Sequence, residues 1–145
     1  MARIRNHKAQ SEHVNATMWN CHMTTLKKNE KYHDALCIMN RLCSDQNFPY
    51  PDKVSFNIAI DILGRLKRFD HMQHMLMCMI HSGFAPDVRT FTSMICAYLS
   101  ARRGVAVMQT LDLMIERGVE PNSHTYKVLE SWEVSTVGRI DAITC

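Results

Sequence analysis

The chain has 145 residues, 46% of them apolar and 21% charged, with only five glycines and four prolines. That is the make-up of one folded domain's worth of chain and excludes disordered and collagen-like classes. No apolar run approaches the ~18 residues a membrane-crossing helix needs, and a net charge of +3 admits an acidic partner such as nucleic acid without requiring one.

The chain opens on MARIRNHKAQS, where Arg3, Arg5 and Lys8 precede the first acid, Glu12. A basic, acid-poor start resembles the end of an organelle-targeting leader, which implies a mitochondrial or plastid location. The alternative is a frayed N-terminal tail over residues 1–16 of a cytoplasmic protein. Beyond the tail the chain repeats itself. Pro51-Asp52 is echoed 35 residues later at Pro86-Asp87 and again at Pro121-Asn122, and Phe56 likewise at Phe91 and Tyr126. Gly83 and Thr90 recur at Gly118 and Thr125, and Met79 at Met114. Internal repetition at this period signals a repeat architecture. The units are 17–52, 53–87, 88–122 and an incomplete 123–145.

The first unit fits at a step of 37, which sets Trp19-Asn20 before Phe56-Asn57 and Met39 before Leu76. The two extra residues fall in CSDQNFPYPD, a polar stretch where insertion costs little. In the second unit Phe56, Ala59, Ile60 and Leu63 recur at i, i+3, i+4 and i+7, one face of a helix. Met72, Met75, Leu76, Met79 and Ile80 form a second such face after a basic turn. The third unit repeats this with Phe91, Met94, Ile95 and Tyr98, then with Val107, Met108, Leu111, Met114 and Ile115. Gly83 and Gly118 stand where a helix end needs a left-handed residue, and Pro86 and Pro121 stop continuation. Neither helix of a pair can bury its stripe alone. The expected fold is therefore all-α, a solenoid of stacked antiparallel helix-turn-helix repeats.

Six cysteines show no paired spacing, so neither a disulfide framework nor a zinc finger is expected. Cys37, Cys78 and Cys96 fall inside helical patterns, where a thiol acts as a small hydrophobe. His71, His74, Cys78 and His81 share one helical face, a spacing that would suit zinc if a fourth ligand converged. They occupy the outward stripe, so a solvated face is expected and no metal or other cofactor. Phosphate loops, nucleophile elbows and deaminase signatures are absent, so no enzymatic activity is expected.

The segment VSFNIAIDILGRLKRFDHMQHMLMCMIHSGFAPD resembles the pentatricopeptide repeat through Val54, Ser55, Phe56, Asn57 and Ile60 at its start and Met79, Gly83, Pro86 and Asp87 at its end. The next unit matches through Thr90, Phe91, Ile95, Met114, Gly118, Pro121 and Asn122. The first unit is degenerate, keeping Trp19, Asn20, Ala35 and Pro51-Asp52 but no glycine.

The resemblance implies single-stranded RNA binding at one base per repeat, in organellar RNA processing, stability or editing. In repeat readers of this kind two or three side chains meet the edge of one splayed base. Carried over, the reading pairs are Asn20 with Asp52, Asn57 with Asp87, and Thr92 with Asn122, while Lys127 opens a fourth. The family's preferences then imply a 5′-UUA-3′ core. Val54 fits the family's base-sandwiching position, where Thr17, Arg89 and His124 depart from its usual valine; Arg89 can still stack or meet a phosphate. Lys53, Arg89 and Lys127 lie beside the reading residues as backbone contacts.

Two other readings stand beside this one. Asp52, Asp87 and Asn122 each precede an expected helix, so capping alone accounts for them. Helical-repeat arrays also bind proteins, and the incomplete last unit is the expected place for a protein partner or self-association. Base contacts are worth about 1–3 kcal/mol each, so three units bind RNA at micromolar strength or weaker once association costs are met.

Overall fold

The computed structural model describes residues 9–131, with side chains from Ala16 onward. All regular structure among the described residues is helical: α1 (Ala9–Lys28), α2 (Tyr32–Ser44), α3 (Lys53–Arg65), α4 (Phe69–His81), α5 (Val88–Ser100), α6 (Gly104–Glu116) and α7, described over 123–131. The chain divides into two compact units at Ala85/Pro86. The first holds α1–α4 and the second α5–α7.

In the first unit α1 packs on α2 and α3, α2 on α3, and α3 on α4, so two helical hairpins stack. The periodic residues form the core. Phe56, Ala59, Ile60 and Leu63 of α3 and Met72, Leu76 and Met79 of α4 are all buried, as are Ala16, Met23, Ala35, Met39 and Leu42 from the first hairpin. Phe56 also meets Phe84 with ring centroids 6.0 Å apart. The stretch expected as a tail over residues 1–16 is helical from Ala9, because nothing between Ala9 and Thr17 breaks a helix. In the inserted stretch, Phe48 packs on Trp19 at 5.0 Å and lies under the Arg41 guanidinium at 5.8 Å. Lys27 Nζ reaches Asp61 Oδ2 at 2.8 Å and ties α1 to α3. Arg65 Nε joins the same oxygen at 3.4 Å, and the Asp61 carboxylate holds the Arg65 guanidinium above its usual pKa.

In the second unit α5 packs on α6, with Phe91, Met94, Ile95, Tyr98, Val107 and Met114 buried. The expected α6 stripe is narrower than its sequence suggests, since Met108 is 51% and Ile115 65% exposed. Val107, Thr110 and Met114 are the buried residues of α6, and each outlying residue lies one step, roughly 100°, further round. Tyr126 was expected to echo the buried Phe91 but stands exposed; the stretch one period beyond α6 lies outside the described residues.

Two kinds of turn separate the helices. Between hairpins, Gly83 and Gly118 take positive φ of 91° and 73°. There Phe84 N–H reaches Met79 O and Val119 N–H reaches Met114 O, the Schellman arrangement that satisfies orphan carbonyls. Within hairpins the same bonding recurs, but the left-handed residue is Glu30, Lys67 or Arg102, each near +60°. The glycine signal flags only the first kind.

Candidate nucleic-acid interface

The three stretches PDKVS, PDVRT and PNSHT share one local device. A carboxylate or carboxamide caps a helix by accepting the N–H of a hydroxyl-bearing residue three places on, and in the first two stretches that hydroxyl caps it back. Asp52 Oδ1 accepts from Ser55 N–H at 3.0 Å, and Asp52 N–H donates to Ser55 Oγ at 3.1 Å. Asp87 and Thr90 repeat the pair at 3.1 and 3.2 Å. Asn122 Oδ1 takes the Thr125 N–H at 3.0 Å. The Asp52 and Asp87 caps are capping boxes with a hydroxyl in place of the usual Glu or Gln. The capping expected for Asp52, Asp87 and Asn122 is therefore present, and Ser55, Thr90 and Thr125 are fully buried beneath it.

In the first unit the cap does more than close a helix. Asn20, in the middle of α1 and only 5% exposed, donates Nδ2–H to Asp52 Oδ1 at 2.8 Å. Its Oδ1 accepts from Ser55 Oγ at 2.5 Å. Because a carboxylate only accepts, the amide can sit in one orientation alone, nitrogen toward Asp52 and oxygen toward Ser55. Asn20 and Asp52 are thus brought into direct contact, although they belong to the repeat whose sequence is most degenerate.

In the second unit Thr92, 6% exposed on α5, reaches its partner through an intermediary. Thr92 Oγ1 lies 2.9 Å from Thr125 Oγ1, and Thr125 Oγ1 lies 3.0 Å from Asn122 Oδ1. The remaining pair divides between the units: Asn57 is half-buried on α3, and Asp87 caps α5.

Helix geometry places the proposed stacking and reading residues together, because residues three apart share a face. Thr17 and Asn20 do so on α1, Val54 and Asn57 on α3, Arg89 and Thr92 on α5, and His124 and Lys127 on α7. In the first three pairs the leading residue is the more exposed, and Val54 is 49% exposed despite being apolar. Lys53 is half-buried, while Arg89 and Lys127 are exposed.

The histidine face of α4 is solvated: His71, His74 and His81 are exposed, with Cys78 Sγ 3.5 Å from His74 Nε2. No three metal-ligating side chains converge among the described residues. Cys37 and Cys96 do not pack as small hydrophobes as expected; both lie on the exposed side of their helices. The Cys43 thiol is pushed above its ordinary pKa by burial and then by Cys78.

Comparison with known proteins decides what this arrangement belongs to. The PPR repeat family model matches residues 90–130, and the PPR repeat model matches residues 54–84. Over those two stretches the chain is built of pentatricopeptide repeats (PPR). Among solved structures, this PPR chain is similar to the pentatricopeptide repeat protein PPR10 from maize, with TM-score 0.67 and 24% identity over 79% of this chain and 16% of that one. PPR10 in complex with an 18-nt psaJ RNA element gives TM-score 0.72 and 24% identity, over 81% of this chain and 17% of that one. The PPR chain thus spans about a sixth of the length of the solved chains it matches. The likeness shows a shared all-α repeat fold. No curated protein matches it.

Proposed function

We propose that this PPR chain binds single-stranded RNA, one base to each reading pair, as part of organellar RNA processing, stability or editing. The observation that carries the reading is the Asn20–Asp52 contact at 2.8 Å, on the positions that the family resemblance gives to base recognition. An amide held by a carboxylate and a hydroxyl keeps one donor and one acceptor in a fixed order, which suits a base edge. The RNA in the PPR10 complex supports the same class of ligand. By the family's preferences, Asn20 with Asp52 and Asn57 with Asp87 take uracil and Thr92 with Asn122 takes adenine, read 5′-UUA-3′. Val54 and Arg89 flank bases, Lys53 lies beside the phosphates, and Lys127 opens a fourth reading position.

The test is binding of the purified chain to labelled UUA-containing RNA and to a scrambled control, at two salt concentrations. The expected result is preference for UUA that falls when Asn57 and Asp87 are replaced together by alanine. Salt-sensitive binding without preference would reduce the function to phosphate attraction.

A second reading, a protein-binding repeat module, is favoured by one feature. Val105, Met108 and Ile115 of α6 are 75%, 51% and 65% exposed and lie on one side of the helix. Absence of RNA binding at tens of micromolar would shift the function toward that surface.

A further inference from the structure

The hydroxyls of Ser55 and Thr125 belong to the helix that opens the next repeat, two helices beyond the one that carries the reading residue they touch. We propose that they are positioning residues for the reading residue of the preceding repeat: Ser55 holds Asn20 in the orientation the Asp52 carboxylate selects, and Thr125 sets the hydrogen-bond polarity with which Thr92 faces its base. The inference rests on the base-reading function proposed above and adds a third member to each of these two pairs.

Proton counting carries it. Ser55 has one hydroxyl proton and two acceptors within reach, Asn20 Oδ1 at 2.5 Å and Asp52 Oδ1 at 3.0 Å. Asp52 Oδ1 already receives Ser55 N–H and Asn20 Nδ2–H, so the proton goes to the closer, less served Asn20 oxygen. Ser55 Oγ in turn accepts from Asp52 N–H. Every member of this ring has an assigned direction. Asn20 is left with one N–H and one lone pair, and it cannot exchange their places without setting oxygen against carboxylate.

The second unit has the same parts and one freedom more. Asn122 Oδ1 receives Thr125 N–H whichever way the hydroxyls turn. If Thr125 gives its hydroxyl proton to Asn122, then Thr92 must donate to Thr125 and can offer a base only lone pairs. If Thr125 donates to Thr92 instead, the Thr92 proton turns outward and the base meets a donor. Thr92 is therefore a reader of switchable polarity with Thr125 as its switch, whereas Asn20 is a reader of fixed polarity, set by the Asp52 carboxylate and held by Ser55. Both positioning hydroxyls are fully buried, so neither can touch a base itself.

The experiment measures, for each variant, affinity for RNA with the expected base and with the other three bases at one position at a time. Ser55→Ala is expected to lower discrimination at the first base about threefold to tenfold, the worth of one hydrogen bond, with the other positions unchanged. Thr125→Val is expected to do the same at the third base. Ser55→Thr and Thr125→Ser, which keep the hydroxyl, restore discrimination. Uniform loss of affinity at every base, with ratios intact, would overturn the positioning role and leave helix capping alone. A separate readout needs no RNA: the Asn20 side-chain amide resonances should shift and exchange faster in Ser55→Ala but not in Ser55→Thr. Unchanged resonances would overturn the inference even if RNA is read. Shifted resonances with an unselective wild type would uphold the lock on Asn20 and reject base reading.

Discussion

The two units solve one problem with different chemistry. Both close the first helix of the following repeat with an Asx–hydroxyl cap, and both bury that hydroxyl completely. In the first unit the Asx residue is an acid, and it captures the reading residue directly at 2.8 Å. In the second it is an amide and reaches the reading residue only through Thr125. A change from Asn with Asp to Thr with Asn at the paired positions thus accompanies the change from a closed ring to an open relay. On the proposed reading, the paired positions do not act as isolated pairs, because the residue three places after the cap touches a member of each set.

The sharpest way to break the comparison is to remove the cap from each unit in turn. Asp52 Oδ1 serves two donors, Asn20 Nδ2–H and Ser55 N–H, so Asp52→Ala strands buried groups on both α1 and α3 and is expected to cost about 2–3 kcal/mol. Asn122→Ala gives up the bonds to Thr125 alone and should cost about 1 kcal/mol. Urea unfolding of the two variants measures both. Equal losses would mean that the Asn20 contact adds nothing to the first cap.

The turns give the next largest effect. At Gly83 a side chain would meet nothing within 4 Å, yet φ of +91° disfavours any Cβ, so Gly83→Ala is expected to cost about 1 kcal/mol through backbone strain alone. Within hairpins the strain is already present. Lys67 and Arg102 hold φ near +60° in otherwise equivalent turns, and Lys67→Gly should stabilise by about 0.5–1 kcal/mol. Thermal unfolding of the two variants, run together, should show shifts of opposite sign.

Much of this was legible in the sequence, for identifiable reasons. Gly83 and Gly118 announced left-handed turns because almost no other residue goes there cheaply. Phe56, Ile60, Met79, Phe91, Ile95 and Met114 announced the core because a repeated spacing fixes a helical face. Other features were hidden. Glu30, Lys67 and Arg102 are not residues that signal positive φ, though the recurrence of NEK, LKR and ARR at the repeat spacing was a trace of them. Periodicity marked Met108 and Ile115 as apolar but could not say how wide a stripe α5 covers. The Asn20–Asp52 contact was obscured by the insertion between them, which lengthens the repeat without moving its two ends apart. Ser55 and Thr125 were visible as repeat signature and went unread as parts of the site, although a [D/N]-x-x-[S/T] spacing before each helix is the sign of a cap.

The smallest difference between the units is electrostatic. Lys27 and Asp61 clip α1 to α3 at 2.8 Å, with Arg65 on the same carboxylate. One period after Asp61 the second unit has Cys96, so it carries no acid there. Both partners of the clip keep some solvent contact, with side chains 18% and 24% exposed, which limits it to about 0.5–1 kcal/mol. Asp61→Asn should therefore speed hydrogen exchange of α1 and α3 amides severalfold while leaving α5 unchanged. Raising salt from 0.05 to about 0.5 M in the wild type should reproduce part of that change, because screening acts on a partly exposed pair. If α5 amides respond as strongly as those of α1 and α3, the two units share their stability, and the contrast between them lies in hydrogen-bond chemistry at the caps rather than in independent folding.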